Sequence, residues 1–365
     1  MDSTESRISV MEPEAKNAAG PEWDADAWRE NYAAAKSRGA GFHALRIEVF
    51  RHTVEIVRRG CYRTRGAEVM VRPPGESEPV TTFYRKVEAL AGRSEDTTTV
   101  EVVERDCVDA AVGLVHAGLD VGMLNMANRH VPGGGVLGGA GAQEENLFRR
   151  SALFRSLYAY APVGASFGVT LDAFNRYPLD RATGGIHSRG VRFFRGTDDA
   201  GYALWGESVP ISVISVPAIN QPALVDTPEG PRIVPRLVEP SREKIRIILR
   251  VGALQGHNAL VLSAFGCGAF RNPPRHMAEL FRDVLREAEF TGRFERIVFA
   301  IVDDHNAGRE HNVDGNVKAF VEAFRPDAQR QQSHSRLPPS SEPCHGPIAR
   351  EASGNSDSIA PTSSS

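Results

Sequence analysis

The sequence is short of the features that most simply announce a function. It has four cysteines, Cys61, Cys107, Cys267 and Cys344, far apart in the chain. They lack the spacing of a zinc site, and no carboxylate or histidine cluster has ligand spacing, so neither metal nor cofactor is expected. So few cysteines exclude a disulfide-built secreted scaffold. With a polar start and no signal-peptide pattern, they point to a reducing intracellular compartment, cytoplasmic or nuclear. No apolar run reaches bilayer length, so no membrane partner is expected. A net charge of −3 over 365 residues gives no global basic field, which argues against sequence-specific nucleic-acid binding. The Gly-x-x-x-x-Gly-Lys-Ser/Thr phosphate loop is missing. So is a Gly-x-Gly-x-x-Gly fingerprint with its downstream acid.

What is present is glycine beside carboxylates. Asn125-Met126-Ala127-Asn128 is followed by Gly133-Gly134-Gly135, and then by Gln143-Glu144-Glu145. Three glycines let backbone approach a ligand with no side chain between. Glycine loops cradle phosphates, and carboxylic acids cleave glycosidic bonds. A ligand with both groups would suit such a site. A second loop, Gly266-Cys267-Gly268-Ala269-Phe270, has small residues around Cys267, and its N–H groups can wrap a diphosphate. Cys267 itself reads as a small buried hydrophobe, with no partner motif for a nucleophile. Glu144 and Glu145, adjacent at a helix start, point different ways and cannot form the facing pair of an ordinary glycosidase.

Between two low-complexity ends, strand and helix signals alternate. Residues 1–25 and 326–365 read as disordered tails, the second rich in Ser and Pro. A helix is expected from Phe42 to a stop at Gly60, and another from Cys107 to His116. Buried strands are expected at 123–126, 209–216, 259–263 and 297–302. One helix is expected over 143–160 with the acids in its first turn. Others are expected at 241–254, 274–287 and 317–324. Residues 186–188 and 191–195 are expected in a loop region, with His187 a surface or core histidine. Apolar strands alternating with helices imply an α/β fold with helices on both sheet faces. Both glycine loops follow a strand and precede a helix, where open α/β sheets bind ligands.

The triple glycine and Gln-Glu-Glu together resemble the signature of poly(ADP-ribose) glycohydrolases, most closely the bacterial-type branch. The resemblance extends to His52-Thr53-Val54-Glu55-Ile56, Ser151-Ala152-Leu153-Phe154-Arg155, Ser263-Ala264-Phe265-Gly266 and Ile297-Val298-Phe299-Ala300, and covers residues 26–325. It implies a macrodomain-like three-layer α/β/α core with a mixed sheet and an N-terminal helical extension. It also implies hydrolysis of ribose–ribose O-glycosidic bonds in poly(ADP-ribose), from chain ends, releasing ADP-ribose. By resemblance Glu145 is the general acid and base, and Glu144 holds ribose hydroxyls. Asn125, Asn128, Gly133, Gly134, Gly135, Gln143 and Gly266 through Phe270 then bind substrate, with Phe270 against the ribose. Phe299 and Phe324 are candidates for stacking adenine. An acid working at neutral pH needs a raised pKa, which like charges on Glu144 and the ligand would give Glu145. The implied partners are ADP-ribosylated proteins, and the implied state a monomer. Two rivals stay open: a non-catalytic ADP-ribose reader, and a mono-ADP-ribosyl hydrolase.

Overall fold

Apolar residues at alternate positions of the central strands go to opposite faces of one sheet, and this sets the architecture. A computed structural model describes residues 20–76, 80–91, 96–303 and 314–325. In chain order the elements begin with α1 (Ala25–Ser37), α2 (Phe42–Arg59), β1 (Cys61–Thr64), β2 (Ala67–Met70), β3 (Thr81–Tyr84) and β4 (Thr99–Glu104). Next come α3 (Cys107–His116), β5 (Val121–Met126), α4 (Gln143–Arg150), α5 (Leu153–Tyr158), β6 (Gly185–Arg195) and β7 (Leu204–Val216). The last are β8 (Leu224–Thr227), β9 (Gly230–Ile233), α6 (Pro235–Leu254), β10 (Ala259–Leu262), α7 (Pro274–Leu285), β11 (Arg296–Ile301) and α8 (Val317–Phe324).

Among the described residues, seven strands form one mixed sheet in the order β3-β6-β7-β5-β10-β11-β4. From β7 to β4 all neighbours are parallel, while β6 runs antiparallel to both β7 and β3. On one face Met123, Val213, Val261 and Val298 pack with Phe50, Val108, Leu147 and Leu153 from α2 to α5. On the other, Leu124, Ile214, Leu260 and Phe299 pack with Ile248, Met277 and Phe320 from α6, α7 and α8. Period-two alternation thus feeds two helical layers, the α/β/α sandwich expected from the sequence. All described residues up to Phe324 belong to one compact unit.

Several boundaries differ from the sequence reading, each for a local reason. The helix expected over 143–160 breaks at Ser151, whose backbone is extended at φ −151°. There Ser151 bridges to Phe193, its hydroxyl bonds to Leu147 O, and its Oγ accepts from Leu153 N. Tertiary pairing with β6 and a side-chain cap replace one turn of helix. The helix expected at Ser241 begins at Pro235 and runs through Pro240. That proline is the sixth residue of the helix, which runs on without the one ladder bond its missing N–H would have made. Residues 186–195, expected in a loop region, form most of β6, hydrogen-bonded to β3 and β7. Residues 20–25, assigned to the leading tail, are built into the fold. Pro21 O accepts from Arg63 N, and Asp24 caps α1. The rest of that tail, and the tail from 326, lie outside the described residues.

A buried cation holds the break between α4 and α5. Arg150 is fully buried; its Nη1 donates to both oxygens of Asp106 at 2.9 Å, and its Nε to Arg195 O. Asp106 also caps α3. Removing one partner of such a pair leaves a buried charge uncompensated. Arg150→Ala is expected to destabilise the fold by about 3–5 kcal/mol, measured by chemical denaturation. A loss within 1 kcal/mol would show the pair to be dispensable.

Candidate active site

The parallel strands β5, β7 and β10 end on one edge of the sheet, and their following loops meet there. The loop after β5 carries the glycines. Why it folds over the start of α4 follows from its polar groups. Gln143 Oε1 accepts from Met126 N at 2.8 Å, and its Nε2 donates to Leu124 O at 2.8 Å, which pins the first turn of α4 to the end of β5. The Gln143 amide therefore faces the strand; it orients the acids. Asn128 Oδ1 accepts from His130 N and Val131 N, turning the chain into the glycines. Farther along, Arg149 donates to Ala140 O at 2.8 Å and His43 of α2 sits 3.0 Å from Gly139 O. The loop is thus braced from two helices.

Both carboxylates turn toward this loop. The expectation that the neighbours point apart does not hold, because the loop wraps around the helix start and supplies N–H donors to each. Glu144 accepts from Asn128 N at 2.7 Å, Gly133 N at 3.1 Å and Asn125 Nδ2 at 3.3 Å. Asn125 is fully buried and also donates to Ser215 Oγ at 3.0 Å, so it stands behind Glu144 as its support. Glu145 Oε1 accepts from Gly135 N at 2.8 Å. Its Oε2 is buried and has no hydrogen-bond partner among the described residues. Gly134 lies between the acids in the left-handed region, at φ +52°. A Cβ there would stand 2.5 Å from Glu145 Oε1 and 3.4 Å from Glu144 Oε2. Only glycine fits between the two carboxylates.

Burial pushes the Glu144 carboxyl up to about 8, helped by the charge of Glu145 and opposed by the three donors. The Glu144 carboxyl is thus held in its neutral form to a higher pH than an ordinary glutamate. The Tyr177 hydroxyl is buried without a partner among the described residues. Burial and the nearby Glu144 push it well above the ordinary tyrosine range.

The second loop emerges from β10, the strand beside β5. Gly266 has φ +75°, and Asn272 Nδ2 donates to Ile219 O at 2.8 Å and Gly266 O at 3.1 Å, closing the loop against the turn after β7. Cys267 is fully buried and its thiol is pushed up by burial, as a core side chain. Gly268 and Phe270 are half-buried and Ala269 is exposed, so that part of the loop is reachable. Phe299 is fully buried and stacks on Phe324 at 4.7 Å between ring centres, which removes it as a stacking surface for a base. His187 is a core histidine, 2.9 Å from His257 Nε2. Sequence reasoning missed Arg149, four residues after Glu145, and Tyr177; the spacing of Arg149 on the same helix face was a signal for the first.

The comparisons with known proteins converge on one family. The family model for the microbial-type PARG catalytic domain matches residues 51–196, a span that includes the glycines and both acids. The poly(ADP-ribose) glycohydrolase of Thermomonospora curvata, solved with the inhibitor ADP-HPD, is 32% identical with a TM-score of 0.58. That match covers 76% of this chain and 99% of the other. The chain belongs to the bacterial-type poly(ADP-ribose) glycohydrolase family. The Deinococcus radiodurans member, solved in complex with ADP-ribose, is also 32% identical with a TM-score of 0.50. It covers 63% of this chain and 86% of the other. No curated protein matches the chain.

In this glycohydrolase the buried Glu144 has a consequence for stability. A folded-state pKa near 8 against an ordinary value of 4.5 means that the native state holds a proton the unfolded chain has lost. Stability carried by that proton is present below about pH 4.5 and declines as pH rises toward 8. Wild type is therefore expected to lose more thermal stability between pH 5 and pH 8 than Glu144→Gln does. Parallel melting curves for the two proteins would contradict the assignment.

Proposed function

We propose that the chain hydrolyses the ribose–ribose O-glycosidic bonds of poly(ADP-ribose) from chain ends, releasing ADP-ribose, with Glu145 as general acid and base. The observation that carries this reading is the state of the Glu145 carboxyl. One oxygen is fixed by Gly135 N, and the other is buried without a partner among the described residues. A carboxyl with one oxygen held and the other unpaired is suited to proton transfer. In its protonated form, Oε2 gives its proton to the departing ribose oxygen as the C–O bond breaks and the anomeric carbon becomes oxocarbenium-like. The carboxylate then takes a proton from the water that attacks that carbon, and the acid is restored. Glu144, fixed by three N–H groups, holds the ribose hydroxyls, and the side-chain nitrogen of Asn128 binds beside it. The reachable N–H groups of Gly268, Ala269 and Phe270 take the diphosphate, with Phe270 against the ribose.

ADP-ribosylated proteins are then the macromolecular partners, and residues 26–325 the hydrolase domain of a monomer. A panel of substrates tests the assignment: polymer, protein carrying single ADP-ribose on Ser or Glu, and ADP-ribosylated DNA. The expected result is rapid ADP-ribose release from polymer alone. Release from single modifications at the same rate would move the activity to mono-ADP-ribosyl hydrolysis. Tight ADP-ribose binding without any release would make the chain a reader.

A further inference from the structure

On the site edge of the sheet, the flank opposite the second glycine loop carries a large apolar side chain in water. Phe174 is 83% exposed. Its loop is nonetheless tightly held. Asp172 accepts from Phe174 N at 2.8 Å and from Asn175 N. Arg85, just after β3, donates to Phe174 O at 2.8 Å and to Asn175 Oδ1 at 3.1 Å. Tyr177 N donates to Tyr160 O, and Leu179 N to Arg129 O, one residue beyond Asn128. A ring held in water on an anchored backbone and set among cations offers a stacking platform, whereas a ring on a slack loop would be free to fold inward.

Position and charge say what it binds. The acids sit at the end of β5, the second glycine loop follows β10 on one side, and Phe174 lies beside β3 on the other. In the order β3-β6-β7-β5, β3 is three strands from β5, about 14 Å away. Arg85, Arg129, Arg176 and Arg181 stand along this segment, against Asp172 and Asp180, an excess of two positive charges. Both aspartates are turned onto backbone N–H groups of their own turns. Aromatic faces set among cations bind successive bases and phosphates of a polymer strand. Resting on the hydrolase reading above, we propose that Phe174 and the arginines beside it form a second subsite. There the ring stacks an adenine of the ADP-ribose unit on the leaving side of the cleaved bond.

The test uses the full chain. In the Glu145→Gln background, binding of a defined ADP-ribose oligomer and of free ADP-ribose is measured with and without Phe174→Ala. Phe174→Ala is expected to weaken oligomer binding about tenfold, with ADP-ribose binding unchanged and Phe174→Trp restoring the oligomer. An unchanged melting temperature checks the fold of the variant. Equal oligomer affinity in both proteins would overturn the subsite. So would oligoadenylate binding as tightly as the oligomer, which would make this a general nucleic-acid surface. Release of ADP-ribose by the chain with Glu145 intact is scored separately. Its absence would remove the hydrolase reading, while the binding comparison still decides the subsite.

Discussion

Glu145→Gln is expected to lower turnover of poly(ADP-ribose) by about 10³- to 10⁴-fold while ADP-ribose binds with near-native affinity. The glutamine carbonyl can still accept from Gly135 N, so the loop keeps its shape. On the proposed mechanism, what is lost is the transferable proton of Oε2. In that mechanism one group performs both transfers, so no neighbour can take over half of the cycle. Glu144, the other carboxylate at hand, is fixed by Asn125, Asn128 and Gly133. A fall of this size corresponds to about 4–5.5 kcal/mol of lost transition-state stabilisation. Single-turnover kinetics beside a calorimetric titration with ADP-ribose separate chemistry from binding. Turnover within tenfold of wild type would place the acid elsewhere.

Gly134→Ala is expected to be nearly as damaging, although no chemical group is removed. Its new methyl would lie 2.5 Å from Glu145 Oε1, so the carboxylate or the loop must shift by about 1 Å to reach ordinary contact. A displacement of that size at a reacting group can cost about 100-fold in rate. The residue would also carry a side chain at φ +52°, at about 1–2 kcal/mol. The expected result is a fall in kcat of about 100-fold or more with a small drop in melting temperature. A variant with wild-type kcat would mean that the two acids are not confined by this glycine.

How much of this was legible in the sequence depended on the range of the interactions involved. Strands β5, β7, β10 and β11 and the helices at Phe42, Cys107 and Val317 were legible because their apolar spacing is local. The break at Ser151 was not, because a strand far along the chain, at Phe193, pairs with it. Strand β6 was misread because its fit depends on β3 and β7 on either side, and its sequence lacks clean alternation. At the site, residue types and order named the acids and glycines. They did not tell that Gln143 faces β5, that Asn125 sits behind Glu144, or that burial raises Glu144. Those facts depend on which way a side chain turns once the loop is folded. Phe299 was misjudged for the same reason: an aromatic on a central strand packs into whichever helical layer faces it.

The most direct measurement of the central claim is release of free ADP-ribose from auto-modified polymer, with wild type beside Glu145→Ala, sampled from the earliest times. The expected result is release by wild type, with ADP-ribose itself as the first product, and essentially none by the variant. Equal release by both proteins, or none by either while ADP-ribose still binds, would contradict it.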